Sequence, residues 1–141
     1  VEEGAVRVSD VTAMATGLAT NLATITGLRT YATIPDDPNP PAAVVSLNSV
    51  NYDEAFRGGL VEYNFTVTLI VARVTERRAQ ERLHDYIQTG SGGVKFAIES
   101  DRTLGGSAID ASVTEMSNIA SVSIGEIDYL TADFSVTVRA E

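Results

Sequence analysis

The chain has 141 residues, 44% of them hydrophobic and 21% charged, enough for one ordinary core and contrary to disorder as the default. Its 19 acidic and 10 basic residues leave a net charge of −9, and with Lys95 as the sole lysine no cationic concentration exists for gripping duplex DNA or an anionic membrane. The absence of cysteine removes disulfides, thiolate nucleophiles and cysteine-metal sites.

The opening Val1-Glu2-Glu3 has neither the basic start nor the apolar stretch of a secretory signal. Ser9 or Asp10 is placed to cap a helix whose apolar positions Val11, Met14, Ala15, Leu18, Leu22 and Ile25 recur at three and four. Gly17 is a mild weakness inside that helix, and Gly27 is placed to stop it through a left-handed cap. Leu28 to Ile34 reads as a short strand. The run Pro35-Asp36-Asp37-Pro38-Asn39-Pro40-Pro41 forbids helix and most ladder pairing, because each proline lacks an amide donor.

Ala42 to Val50 returns to strand composition, and Tyr52 to Gly59, with Phe56, Arg57, Gly58 and Gly59, reads as a hairpin loop. Val61, Tyr63, Phe65, Val67, Leu69 and Val71 then alternate with Glu62, Asn64, Thr66 and Thr68, a strand with one core face. From Ile70 both phases are apolar, which predicts cover on both faces. The stretch Val67 to Val74, interrupted by Thr68 and Arg73, falls far short of the roughly 20 residues a bilayer requires, so no membrane is expected as a partner.

Thr75 is placed to cap a second helix with Ala79, Leu83, Tyr86 and Ile87 on one face and an outer Arg77–Glu81 pair. It ends before Gly90-Ser91-Gly92-Gly93; Val94, Ala97 and Ile98 suggest another short helical turn, and Leu104-Gly105-Gly106 a loop. The last third reads as a long antiparallel hairpin around Ile124-Gly125-Glu126-Ile127, whose Gly-X centre suits a type II′ turn. Pairing Ile124 with Ile127 puts Val113 opposite Val138 and Ile119 opposite Ala132, with Leu130, Phe134 and Val136 on the same apolar face. The other face of the tip carries Val122, Ile124, Ile127 and Tyr129. Together the elements predict one α+β domain over 1–141, with a mainly antiparallel sheet, two amphipathic helices on one face and long projecting hairpins.

Little of this sequence suggests bond-making chemistry. His84, the only histidine, neighbours Asp85 on a helix, where adjacent side chains diverge, so no catalytic dyad is expected. Asp36, Asp37, Asp53 and Glu54 could gather a hard cation through oxygen ligands, but their spacing fits no EF-hand and turn-favouring acids explain them better. The glycine clusters lack the Lys and Ser or Thr of a phosphate loop. No catalytic residue, cofactor or metal site is expected. The apolar tip has two readings: it folds back on the domain's own core, or it is buried by a neighbouring subunit. On the second, Tyr52, Phe56, Arg57, Val122, Ile124, Ile127 and Tyr129 are the candidate subunit or tube interface.

Several stretches resemble the tail terminator proteins of long-tailed (siphovirus) actinobacterial phages. They are Leu22-Ala23-Thr24-Ile25-Thr26-Gly27-Leu28-Arg29-Thr30-Tyr31, the strand entry Pro40-Pro41-Ala42-Ala43-Val44-Val45, and the Tyr52 to Tyr63 hairpin. Ala79-Gln80 with Leu83, Thr103-Leu104-Gly105-Gly106, and Asp128-Tyr129-Leu130 with Ala132-Asp133-Phe134 complete the set, which spans nearly the whole chain. These are core residues and folding punctuation, so no functional residue is carried over. The resemblance implies a small α+β subunit of a homohexameric ring in the virion, at the head-proximal end of the tail and assembled in the host cytoplasm. Its partners would be copies of itself, the tail tube protein and a head-side connector or neck protein. Genomic DNA would pass through the ring without specific binding, since an acidic lining repels it. The alternatives are another head-to-tail neck or connector subunit, and a monomeric ligand-binding α+β module with an apolar pocket between helices and sheet.

Overall fold

In the computed structural model, residues 11–25, 27–31, 39–52, 61–106 and 108–140 are described. They form an α+β fold with a mostly antiparallel five-stranded sheet. In chain order the elements are α1 (Val11–Leu22), β1 (Arg29–Tyr31), β2 (Ala42–Asn51), β3 (Val61–Arg73), α2 (Ala79–Ile87), α3 (Val94–Glu99), a 3-10 turn at Leu104–Gly106, β4 (Asp110–Ile124) and β5 (Ile127–Ala140). The sheet order is β1-β2-β3-β5-β4, and only the β1–β2 pair is parallel.

The three helices share one core with one face of the sheet. Met14, Leu18 and Leu22 of α1, Leu83 of α2, and Val94 and Ile98 of α3 are buried in a single cluster with Phe65, Val67, Phe134, Val136 and Val138. Helical spacing three and four, and strand spacing two, bring these residues to the same layer. Burial of a large apolar side chain is worth roughly 1.5–3 kcal/mol, so this layer holds most of the stabilisation.

Helix α1 is shorter than its apolar stripe. Its last turn is closed at Leu22 because the Thr24 hydroxyl donates to the Asn21 carbonyl (2.7 Å), and the following amides turn inward as Ile25 N–H donates to the Leu22 carbonyl. Ile25 is buried outside the helix, and Gly27 adopts the left-handed φ of 85° beyond it. Ser9 and Asp10 lie outside the described residues. Gly17 has a packing role that the sequence does not announce: a Cβ there would stand 2.7 Å from the Leu104 Cβ and 2.8 Å from its carbonyl oxygen. The buried Asn21 pins the same contact by donating from Nδ2 to the carbonyls of Ile98 and Asp101, each at 2.9 Å.

Helix α2 begins at Ala79, not after Thr75, and no side chain caps it. Residues 75–78 are taken up by successive turns, in which Glu76 N–H donates to the Arg73 carbonyl and Ala79 N–H to the Glu76 carbonyl. The outer ion pair is Glu76 with Arg82 (3.8 Å) instead of Arg77 with Glu81.

The expected two-sided burial at the end of β3 is present. Leu69, Ile70, Val71 and Ala72 are all at most 1% exposed, and a bulge at Val71, between the Ile70↔Thr131 and Ala72↔Leu130 pairs, sends its neighbours to both faces. Ile70 belongs to a second cluster with Ala42, Val44 and Tyr129, against which Tyr31, Ile124 and Ile127 pack. This cluster occupies the face of the sheet opposite the helices.

The long hairpin keeps its expected register only near the tip. Ile124↔Ile127, Val122↔Tyr129 and Ala120↔Thr131 are as read, but Val113 faces Val136 instead of Val138, and Ile119 has no direct partner. Two extra residues on β4 cause the slip, one between Val113 and Glu115 and one between Ser117 and Ala120. At the second, Asn118 takes a φ of 56° and its amide donates to Asp133 Oδ2 (3.1 Å). The turn is also different: Gly125 (φ 57°) and Glu126 (φ 70°) are both left-handed, the signature of type I′, not II′. Nor does the hairpin project. β3 accompanies β5 as far as Arg73↔Tyr129, so only the tip extends past its neighbour.

Candidate functional site

The open face of the sheet is divided. Toward the Asn51–Glu62–Arg139 row it is polar: Glu62 accepts from Asn51 Nδ2 (2.9 Å) and Arg139 (3.3 Å), and Asn64 Nδ2 donates to Ser49 Oγ (3.1 Å). Thr68 donates to Asp133 (3.0 Å) farther along. Toward the tip it is apolar, with the Tyr129 cluster beside a shallow recess of about 170 Å³ lined by Ile70, Ala120, Val122, Ile124 and Thr131, with polar groups at its rim.

The proposed interface residues separate on this framework. Val122 is 40% exposed, and Ile124 and Ile127 are half-buried at the tip. Tyr129 is 1% exposed, so it is removed from the contact surface: it packs against Ala42, Val44 and Ile70 and supports the tip from within. Tyr52 is 75% exposed but follows Asn51 at the opposite end of the sheet, so it does not join the tip residues. Phe56 and Arg57 lie outside the described residues.

Two features escape a reading by apolar alternation. The first is β4 as a sheet margin: among the described residues no strand pairs with its outer side, and Ile119 there is 51% exposed. Met116 to Ile124 contains no charge, a compositional signal for an edge open to pairing. The second is a device that closes the other half of that margin. Glu99 of α3 accepts from the Val113 N–H (2.9 Å) while Lys95 donates to the Val113 carbonyl (3.2 Å), and the two side chains bond each other at 2.5 Å. Burial pushes the Glu99 carboxyl up, but hydrogen bonds from Lys95 and Val113 and the charges of Lys95 and Arg102 outweigh it and hold the pKa below the usual carboxylate range.

On the covered side, an open groove of about 360 Å³ runs between α1 and the β1–β2 margin, lined by Val11, Ala15, Ala19, Val45, Leu47 and Phe65 with a few threonines. Among the described residues that line it, Thr12, Thr16, Thr30 and Tyr31 carry hydroxyls and none is charged. His84 and Asp85 are exposed on α2. Among the described residues no three His, Asp or Glu side chains gather as a metal set, and no described helix is long and apolar enough to cross a membrane. Asp36, Asp37, Asp53 and Glu54 lie outside the described residues. No protein-family model matches the chain, and no curated protein is detectably similar to it.

Proposed function

We propose that this chain is a structural subunit of a phage particle, a tail terminator. It forms a ring, hexameric by the resemblance above, on the head-proximal end of the tail tube, stops tube growth and offers the surface to which the head-side connector joins. The observation that carries this reading is the exposed, charge-free margin of β4 with Ile119 and Val122, on a chain whose net charge of −9 would otherwise keep copies apart. The near full-length resemblance to tail terminators supplies the partner. A cyclic ring needs two different patches on each subunit, and the two margins of this sheet differ. The subunit works in the virion, with DNA passing through and no cofactor.

The test is polymerisation of tail tube protein with and without the purified chain. The reading predicts tubes of restricted length with this chain at one end. Retention on tailless heads with no tube binding would instead favour a neck or connector subunit, and a strict monomer that ignores both would sink the proposal.

A further inference from the structure

One stretch of the sheet margin is regular and, among the described residues, unpaired on its outer side. β4 is the outermost strand, and from Ala120 to Ile124 every residue keeps its partner on β5. The residues outside the described set adjoin α1, β1, the β2–β3 connection and the ends of β4 and β5 farthest from the tip, not this stretch. Because the two-residue turn makes Ile124↔Ile127 a hydrogen-bonded pair, alternation points the amides and carbonyls of Ala120, Val122 and Ile124 at β5 and those of Ser121 and Ser123 outward. Farther back, Lys95 and Glu99 occupy the outward groups of Val113 and the two bulges interrupt the ladder, so strand addition is confined to this short stretch.

The stretch complements itself. Read in either direction from Val122, Ala120-Ser121-Val122-Ser123-Ile124 gives a serine and then an apolar residue. An antiparallel copy centred on Val122 therefore sets Ser121 of one chain opposite Ser123 of the other, Ala120 opposite Ile124, and Val122 opposite Val122. The serines exchange their outward N–H···O bonds, and the Val122 pair falls between them, where cross-strand side chains approach most closely. Val122, 40% exposed in the single chain, is covered by this contact. Ala120 is too short to fill the recess of about 170 Å³ beside it, and Ile124 of the copy comes to stand next to Ala120. No charge lies between Met116 and Ile124, so two chains of net charge −9 meet there without opposing like charges. Antiparallel strands leave the overlap in opposite directions, which carries the rest of β4, and α3 with it, past the copy's turn.

We propose that Ala120 to Ile124 of β4 pairs with the same segment of a second copy about a two-fold axis through Val122, joining two sheets edge to edge. Such a contact closes on itself and recruits no third copy, so it is the joint of a dimer of the free chain. It does not depend on the ring reading; a ring that uses the same margin must replace it.

Crosslinking tests the register. The chain has no cysteine, so any disulfide reports an introduced residue. Val122→Cys chains should link to one another on mild oxidation, since directly opposed residues lie within disulfide reach. Ala120→Cys chains, on the same face, should not, because the register holds the two copies of that residue roughly 13 Å apart; mixed with Ile124→Cys chains they should. Light scattering of the wild type without tube protein should rise with concentration toward twice the 14.9 kDa subunit. Ser121→Pro removes an outward amide and leaves the ladder to β5 intact, so it should raise the concentration of half-dimerisation at least about tenfold with an unchanged circular dichroism spectrum. A wild type that stays at one subunit mass, or Ala120→Cys chains that link to one another as readily as Val122→Cys chains, overturns the pairing. Neither result bears on the ring, which is read from tube length and from the mass reached with tail tube protein.

Discussion

The two faces of this sheet are finished to different degrees. On the helix-covered face, apolar side chains from three helices and four strands close a continuous layer, locked where Gly17 meets Leu104 and where Asn21 holds two carbonyls. On the open face a polar ladder gives way to a small apolar cluster, and beyond it the Met116 to Ile124 part of β4 carries no charge and pairs on its outer side with no strand among the described residues. The first arrangement is complete within one chain. The second satisfies its interior through Tyr129 but leaves Val122 and Ile119 to solvent, which is what a surface awaiting a neighbour looks like.

The sharpest way to break that contrast is Tyr129→Ala. If the open-face cluster is a packed interior, the cost is about 3–5 kcal/mol by chemical denaturation. A loss of under about 1 kcal/mol would return Tyr129 to the contact surface. Gly17→Ala comes next, with two opposed effects. Helix propensity favours alanine by about 1 kcal/mol, while overpacking against the Leu104 backbone costs about 1–3 kcal/mol. The contact at 2.8 Å to a backbone oxygen decides for net destabilisation, seen as a lowered midpoint.

Glu99→Gln probes the blocked half of β4. The depressed carboxyl pKa means that its stabilisation is fully present above the unfolded-state value and is lost as the pH falls through the folded one. The wild type should therefore exceed the variant at about pH 6 and lose that lead toward about pH 3 in a series of unfolding curves. Val122→Ser should have the smallest effect on the folded chain, within about 0.5 kcal/mol, while weakening self-association. Equal loss of stability and association would place Val122 in the interior.

Much of the covered layer was legible in sequence because periodicity alone defines it: the stripe of α1 and the alternation of β3 each specify one face. The double-phase run at Ile70 correctly implied cover on both sides. What escaped depended on partners distant in the chain. Half of the slip of β4 comes at Asn118, whose left-handed backbone is held by Asp133, a residue no local pattern connects to it; the other half comes from the extra residue between Val113 and Glu115. Gly17 looked like a weakness because its reason is the backbone at Leu104. The Gly-X centre alone does not specify the turn type, because Glu126 as well as Gly125 accepts a positive φ. Among the interface residues, apolar character identified the tip but could not separate the buried Tyr129 from the exposed Val122. The charge-free run of β4 was readable in composition, although its status as a margin required the strand order.

The most direct measurement is the molar mass of the purified wild-type chain by light scattering across a concentration series, alone and with tail tube protein. A discrete closed oligomer, six times the 14.9 kDa subunit if the resemblance holds, is the predicted result. A constant single-subunit mass in both conditions would contradict the account.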